Sequence, residues 1–123
     1  MILKYSGHYE HTLDNVLNPN SLGYLIDAVS GKAFGQELYP TIFKKAAAYA
    51  FFIIKDHIFY DGNKRTGIEA AFIFLLNNGK KIKEKIRTEE VVNLGLDIEN
   101  GNMLLDDIAD WLEENSTRLR KPF

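Results

Sequence analysis

Ten consecutive residues, His57-Ile58-Phe59-Tyr60-Asp61-Gly62-Asn63-Lys64-Arg65-Thr66, bring together a base, a carboxylate, a glycine, an amide and two cations. The neutral imidazole of His57 can take a proton near pH 7. It could equally sit as a positive group at a helix C-terminus, where the macrodipole favours it. Asp61 is a hard oxygen ligand of the kind Mg²⁺ uses together with substrate phosphates. Its structural alternative is a cap or first-turn acid of the following helix. Gly62 permits a close backbone approach or a positive φ. Asn63, Lys64 and Arg65 stand where a second helix should begin, and a helix N-terminus binds anions through its first N–H groups and its positive pole. Two cations placed there oppose the dipole and become favourable when an anion arrives. Base, metal carboxylate and phosphate cradle together describe phosphoryl or nucleotidyl transfer, in which positioning and charge neutralisation do most of the catalysis. Phe59 reads as an apolar anchor for the loop.

Such a loop needs rigid supports, and the flanking sequence supplies them. Upstream, Ile42, Phe43, Ala46, Ala47, Ala50, Ile53 and Ile54 recur at helical spacing; downstream, Ile68, Ala71, Phe72, Leu75 and Leu76 do the same. The first helix should open at Pro40 or Thr41 and end near Asp56 or His57. The second should run from about Asn63 to Asn77, with Asn78-Gly79 as its stop. Asn18-Pro19-Asn20-Ser21 is a turn cluster, and Ser21 is a candidate cap for a short helix through Val29. The stretch from Gly31 to Tyr39 reads as a loop or small hairpin. Around Ile82 and Ile86 the chain suggests a brief extended piece. Thr88 is a candidate cap for a helix through Leu94, and Leu104, Leu105, Ile108, Trp111 and Leu112 define a last amphipathic helix. From Ser116 the polar, basic ending predicts a frayed tail.

With 123 residues the chain suits one domain, residues 1–123, with a core of its own. At 46% hydrophobic and 26% charged the composition is that of a water-soluble globular protein. A net charge of -2 gives no support for wholesale binding of nucleic acid. Cysteine is absent, which excludes disulfides and thiolate metal sites and favours the cytoplasm. No apolar run approaches the ~20 residues that span a bilayer, and the N-terminus is too short in apolar length for a signal peptide. Lys80, Lys81, Lys83, Lys85 and Arg87 form a basic patch without interleaved aromatics, which reads as solvated surface rather than a platform for RNA. His8 and His11 lack a third partner for zinc. Neither a Walker A loop nor a kinase glycine loop occurs.

The loop resembles the signature of the Fic/Doc family, H-x-F-x-(D/E)-G-N-(G/K)-R-x-x-R, matching every specified position from His57 to Arg65 and departing at Ile68. The flanks Leu38 to Ala46 and Phe72 to Gly79 look like death-on-curing (Doc) proteins, and the similarity extends roughly from Leu22 to Trp111. The resemblance implies an all-α fold, a compact helical bundle with a short β-hairpin flap near Phe34 to Tyr39. It makes His57 the catalytic base, Asp61 the Mg²⁺ ligand, and Gly62, Asn63, Lys64 and Arg65 the phosphate-binding residues. Fic enzymes that transfer AMP have Gly in place of Lys64 and Arg in place of Ile68. Lys64 would fill space that the α- and β-phosphates need in that pose, and Ile68 supplies no charge for the γ-phosphate. The Doc branch shares both features, and so implies a kinase-like bacterial toxin. Such a toxin moves the γ-phosphate of ATP to the elongation factor that delivers aminoacyl-tRNA and arrests translation. A separate, partly disordered antitoxin restrains it. AMP transfer and a catalytically silent binding module are the alternatives.

Two features of the N-terminal region depart from or extend this picture. Residues 1–18 match the first Doc helix poorly, and Asn20-Ser21 stand where a Doc chain usually has an Arg-Asp pair. Ser6 to His11 partly fits the self-inhibitory motif (S/T)-x-x-x-E-(G/N) of some Fic proteins. In that event Glu10 would pair with Arg65.

Overall fold

Thr41 starts the first long helix as its sequence suggests, its side-chain oxygen accepting the Lys44 N–H at 3.0 Å. This computed structural model describes residues 15–33 and 36–119. In chain order its elements are α1 (Pro19–Ser30), β1 (Lys32–Ala33), β2 (Gln36–Glu37), α2 (Ile42–Lys55), α3 (Asn63–Asn77), β3 (Lys80–Ile82), α4 (Thr88–Glu99), α5 (Leu105–Glu114) and β4 (Ser116–Arg118). The fold is therefore mainly helical, as expected. His8, His11 and the Ser6 to His11 motif lie outside the described residues.

Small residues place α2 at the centre. Ala46, Ala47, Ala48 and Ala50 are all fully buried, so neighbouring helices approach its backbone from more than one side. On one side Ala47, Ile54, Ile68, Leu75, Ile98, Ile108 and Leu112 form a core shared by α2, α3, α4 and α5. On the other, Leu25 and Val29 of α1 pack with Ala48, Ile53, Ile58, Phe59 and Ala70. At the α2–α3 contact Gly67 is required: a Cβ there would lie 3.0 Å from Ile54 Cγ1 and 3.1 Å from the Ala50 carbonyl oxygen.

Two antiparallel pairs border the helices. β1 and β2 form the expected hairpin before α2, with Lys32 opposite Glu37 and Ala33 opposite Gln36. Its base is tied to α2 by Lys45, whose ammonium donates to Glu37 Oε1 at 3.0 Å and to the Tyr39 carbonyl. Phe34, part of the expected flap, lies outside the described residues. The second pair corrects the expected tail. Ser116–Arg118 are not frayed but pair with β3, with Lys80 opposite Arg118 and Ile82 opposite Ser116. Leu119 N–H continues the ladder to the Gly79 carbonyl at 2.8 Å.

Helix starts differ from expectation by small steps with local causes. α1 begins at Pro19, with Asn18 rather than Ser21 in the cap position, and the Asn18 side chain makes no capping bond. α4 begins at Thr88 after Arg87, not after a Thr88 cap. α5 is opened by the Asp107 carboxylate, which accepts the Leu104 N–H at 2.9 Å. The basic patch is compensated: Lys81 lies 3.5 Å from Glu84, Arg87 lies 3.7 Å from Glu89, and Lys83 donates to the Glu114 carbonyl at 3.0 Å. Among the described residues, no helix is long and apolar enough to cross a membrane.

Candidate functional site

The turns that shape the loop lie within a few residues of the end of α2. Asp56 closes the helix through its N–H to the Phe52 carbonyl. His57 then turns the chain with φ 51°, the one described non-glycine residue at positive φ. Ile58 and Phe59 follow and are buried, at 0% and 4% exposure, so the loop is nailed to the α1-side core. Phe59 is thus the anchor its type suggested. Gly62, at φ 78°, makes the second left-handed turn and precedes α3 without offering a side-chain cap. A non-glycine residue at that φ is strained, which is why glycine is required here.

Two asparagines clasp the loop by the same geometry. Asn63 Oδ1 accepts the Phe59 N–H at 2.9 Å while its Nδ2 donates to the Phe59 carbonyl at 2.8 Å. Asn15 Oδ1 accepts the Asp61 N–H at 3.1 Å while its Nδ2 donates to the Asp61 carbonyl at 3.1 Å. A carboxamide has one acceptor and two donors, so it can satisfy both groups of a main-chain residue at once. The Asn63 amide is therefore committed to holding the loop, and whatever Asn63 offers an anion comes through its main chain.

With Ile58 and Phe59 turned inward, the polar residues face out. His57, Asp61, Gly62, Asn63, Lys64 and Arg65 all line one cleft of about 560 Å³. The sequence-derived residues are thus brought together. The far wall comes from Ile68 and Glu69 of α3 and from Thr88, Val91, Val92, Gly95 and Glu99 of α4. Sequence reasoning did not foresee this second wall, because α4 is far along the chain and carries no motif. Lys64 spans the two helices: its stem packs at Gly95, and its ammonium lies 3.4 Å from the Glu99 carboxylate. His57 is solvent-exposed and lines the cleft, so its side chain is open to a molecule bound there.

Charge favours an anion at the start of α3. Its first turn contains no acidic residue and carries Lys64 and Arg65. The N-terminal pole of the helix points the same way. Among the described residues no three His, Cys, Asp or Glu side chains form a metal cage. Asp61 is the half-buried acidic residue of the loop and lines the cleft. That donor set suits Mg²⁺, which takes one or two carboxylates and completes its shell with water and phosphate oxygens. Beyond the cleft, burial raises the Tyr39 hydroxyl above its ordinary value, with Tyr24 adding to the effect.

A family model described as the Fic/DOC family matches residues 2–75 of the chain, a span that includes the whole loop and most of α3. The chain belongs to the Fic/DOC family. Among curated relatives it is 32% identical over 89 residues to "Toxin Doc" of Mycolicibacterium smegmatis, covering 69% of this chain and 68% of that protein. It is 27% identical over 111 residues to "Protein kinase doc" of Escherichia phage P1, covering 90% of this chain and 81% of that protein. The Fic/DOC signature thus falls on the residues that the fold gathers around the cleft. Asn15 and Asn18, which grip the loop from a distance, stand outside the signature. The only sequence signal at this place is the turn cluster at Asn18-Pro19, which says nothing of a contact with the loop.

Proposed function

We propose that this Fic/DOC chain is a Doc-like toxin that transfers the γ-phosphate of ATP to a hydroxyl of a protein of the translation machinery. The expected target is the elongation factor that delivers aminoacyl-tRNA, and a separate antitoxin is the expected restraint. The observation that carries this reading is the composition of one cleft: an exposed histidine, the Asp61 carboxylate beside it in the loop, and the cationic start of α3, with Lys64 and Ile68 on its wall. The names of the two relatives, a toxin and a protein kinase, support it.

In the reaction, His57 takes the proton of the incoming hydroxyl as its oxygen bonds to the γ-phosphorus. The bond from that phosphorus to the bridging oxygen breaks, and ADP leaves with the electron pair. Asp61 would hold Mg²⁺, whose role when bound is to neutralise phosphate charge. Lys64, Arg65 and the first turn of α3 hold the phosphates through charge and main-chain N–H groups. Ile68 presents an apolar face where an AMP-transferring relative needs a cation. The positive pole of α3 suits a terminal phosphate bound at the helix start.

ATP labelled at the α- or the γ-phosphorus, incubated with the purified chain, Mg²⁺ and the elongation factor, tests the proposal. Label retained on protein from the γ position and absent from the α position supports phosphate transfer. The reverse pattern identifies an AMP transferase, the second reading, which the shared signature favours. No transfer of either label favours the silent binding module.

A further inference from the structure

The short chain segment ahead of α1 supplies the loop with hydrogen bonds it cannot make for itself. Leu17 and Asn18 both donate their main-chain N–H to the Ile58 carbonyl, at 2.8 and 3.0 Å. Tyr60 donates its N–H to the Asn15 carbonyl at 2.8 Å. The Asn18 side-chain nitrogen lies 3.2 Å from the Asp56 carbonyl oxygen and 3.0 Å from that of His57. Those two carbonyls belong to the peptide planes on either side of the His57 α-carbon, whose rotation sets its φ and ψ. One Asn Nδ2 carries two hydrogens, so it can hold both planes at once. His57 is the residue at φ 51°. Non-glycine residues persist in this region when their surroundings over-determine them.

We propose that Asn18 and Asn15 are positioning residues for the transfer reaction. Asn18 sets the backbone twist that aims the His57 ring into the cleft, and Asn15 sets where Asp61 stands. Neither side chain touches the reacting atoms. The α1 cap position is consistent with this division of labour, because Asn18 occupies it and yet leaves the helix uncapped. Asn15 is 3% exposed and makes its bonds to a residue 46 positions away, so its amide is spent on the loop rather than on solvent. The proposal rests on the reading of His57 as the base, and its test keeps the two apart.

The experiment uses the full chain with Asn18→Ala, Asn18→Asp, Asn15→Asp and the wild type. Aspartate keeps the size of asparagine but, when ionised, only accepts, so Asn18→Asp loses both donors and Asn15→Asp keeps only the bond from the Asp61 N–H. Asn18→Ala removes the donors without adding a charge, and so covers the case in which Asn18→Asp fails to fold. Two quantities are read: the kinetics of phosphate transfer, and the NMR α-carbon shift and one-bond Cα–Hα coupling of His57, which report the sign of its φ. We expect kcat to fall about 10- to 100-fold in each variant, with KM for ATP within about twofold, as for a small misplacement of a reacting group. In both Asn18 variants the His57 signals should leave the left-handed range. Wild-type kcat in the Asn18 variants, or unchanged His57 signals, overturns the role of Asn18; wild-type kcat in Asn15→Asp overturns that of Asn15. If the wild type transfers no phosphate, the kinase reading fails instead. The His57 signals then decide by themselves whether Asn18 controls the loop.

Discussion

His57 combines an exposed ring with a backbone at φ 51°, a conformation that costs an L-residue about 1–2 kcal/mol. Strain of this kind accumulates where function requires a side chain in one place. Replacing the ring separates the two effects. His57→Ala should lower the transfer rate by roughly 10² to 10⁴, the share of a general base, in the labelled-ATP assay. His57→Gly should be as inactive, yet more stable than His57→Ala by about 1 kcal/mol in urea unfolding, because glycine accepts a positive φ without strain. Equal stability of the two variants would show that the turn is not strained. At Lys64 the balance differs. Its ammonium is held 3.4 Å from Glu99, yet both side chains are nearly half exposed, so the pair adds little to stability and leaves Lys64 able to change partner.

Helix α2 works as a small-residue spine. Its buried alanines let α3 approach closely, and at Gly67 that approach leaves no room for a Cβ. Gly67→Ala should therefore destabilise by about 1–3 kcal/mol through overpacking, read as a lower urea midpoint with the slope unchanged. An unaltered midpoint would mean that the two helices have room to separate. Thr41→Ala removes the side-chain bond to the Lys44 N–H and should cost about 1 kcal/mol in the same measurement. The Thr41 start and the Asn78 end of the helical pair were legible because caps and stop signals act within a few residues. The β3–β4 pair was not. Nothing near Ser116 announces a partner at Lys80–Ile82, since a strand of three residues owes its existence to what lies beside it.

For the whole molecule, the cleft joins two helices that meet only in the folded chain, so a nucleotide bound there must stabilise the fold. Mg²⁺ with ATP at about 100 times its Kd should add about 2.7 kcal/mol, seen as a rise in Tm. His57→Ala should keep that rise, because a base is not a phosphate ligand, whereas Asp61→Ala and Lys64→Ala should reduce it. A rise that is absent in the wild type would remove ATP from the account. Bacteria expressing the chain without an antitoxin should stop growing, and the His57→Ala variant should leave growth unaffected.

By itself the order of residues determined the helical character, the two long helices and the loop between them, because periodicity, caps and glycine turns are local properties. It also singled out the polar side chains from His57 to Arg65 that the fold gathers along one cleft. Only the tertiary structure decided that α4 would form the opposite wall of the cleft and that Asn15 and Asn18 would grip the loop. Those outcomes join groups tens of residues apart, and no local preference of an asparagine or a valine specifies which distant backbone it will meet.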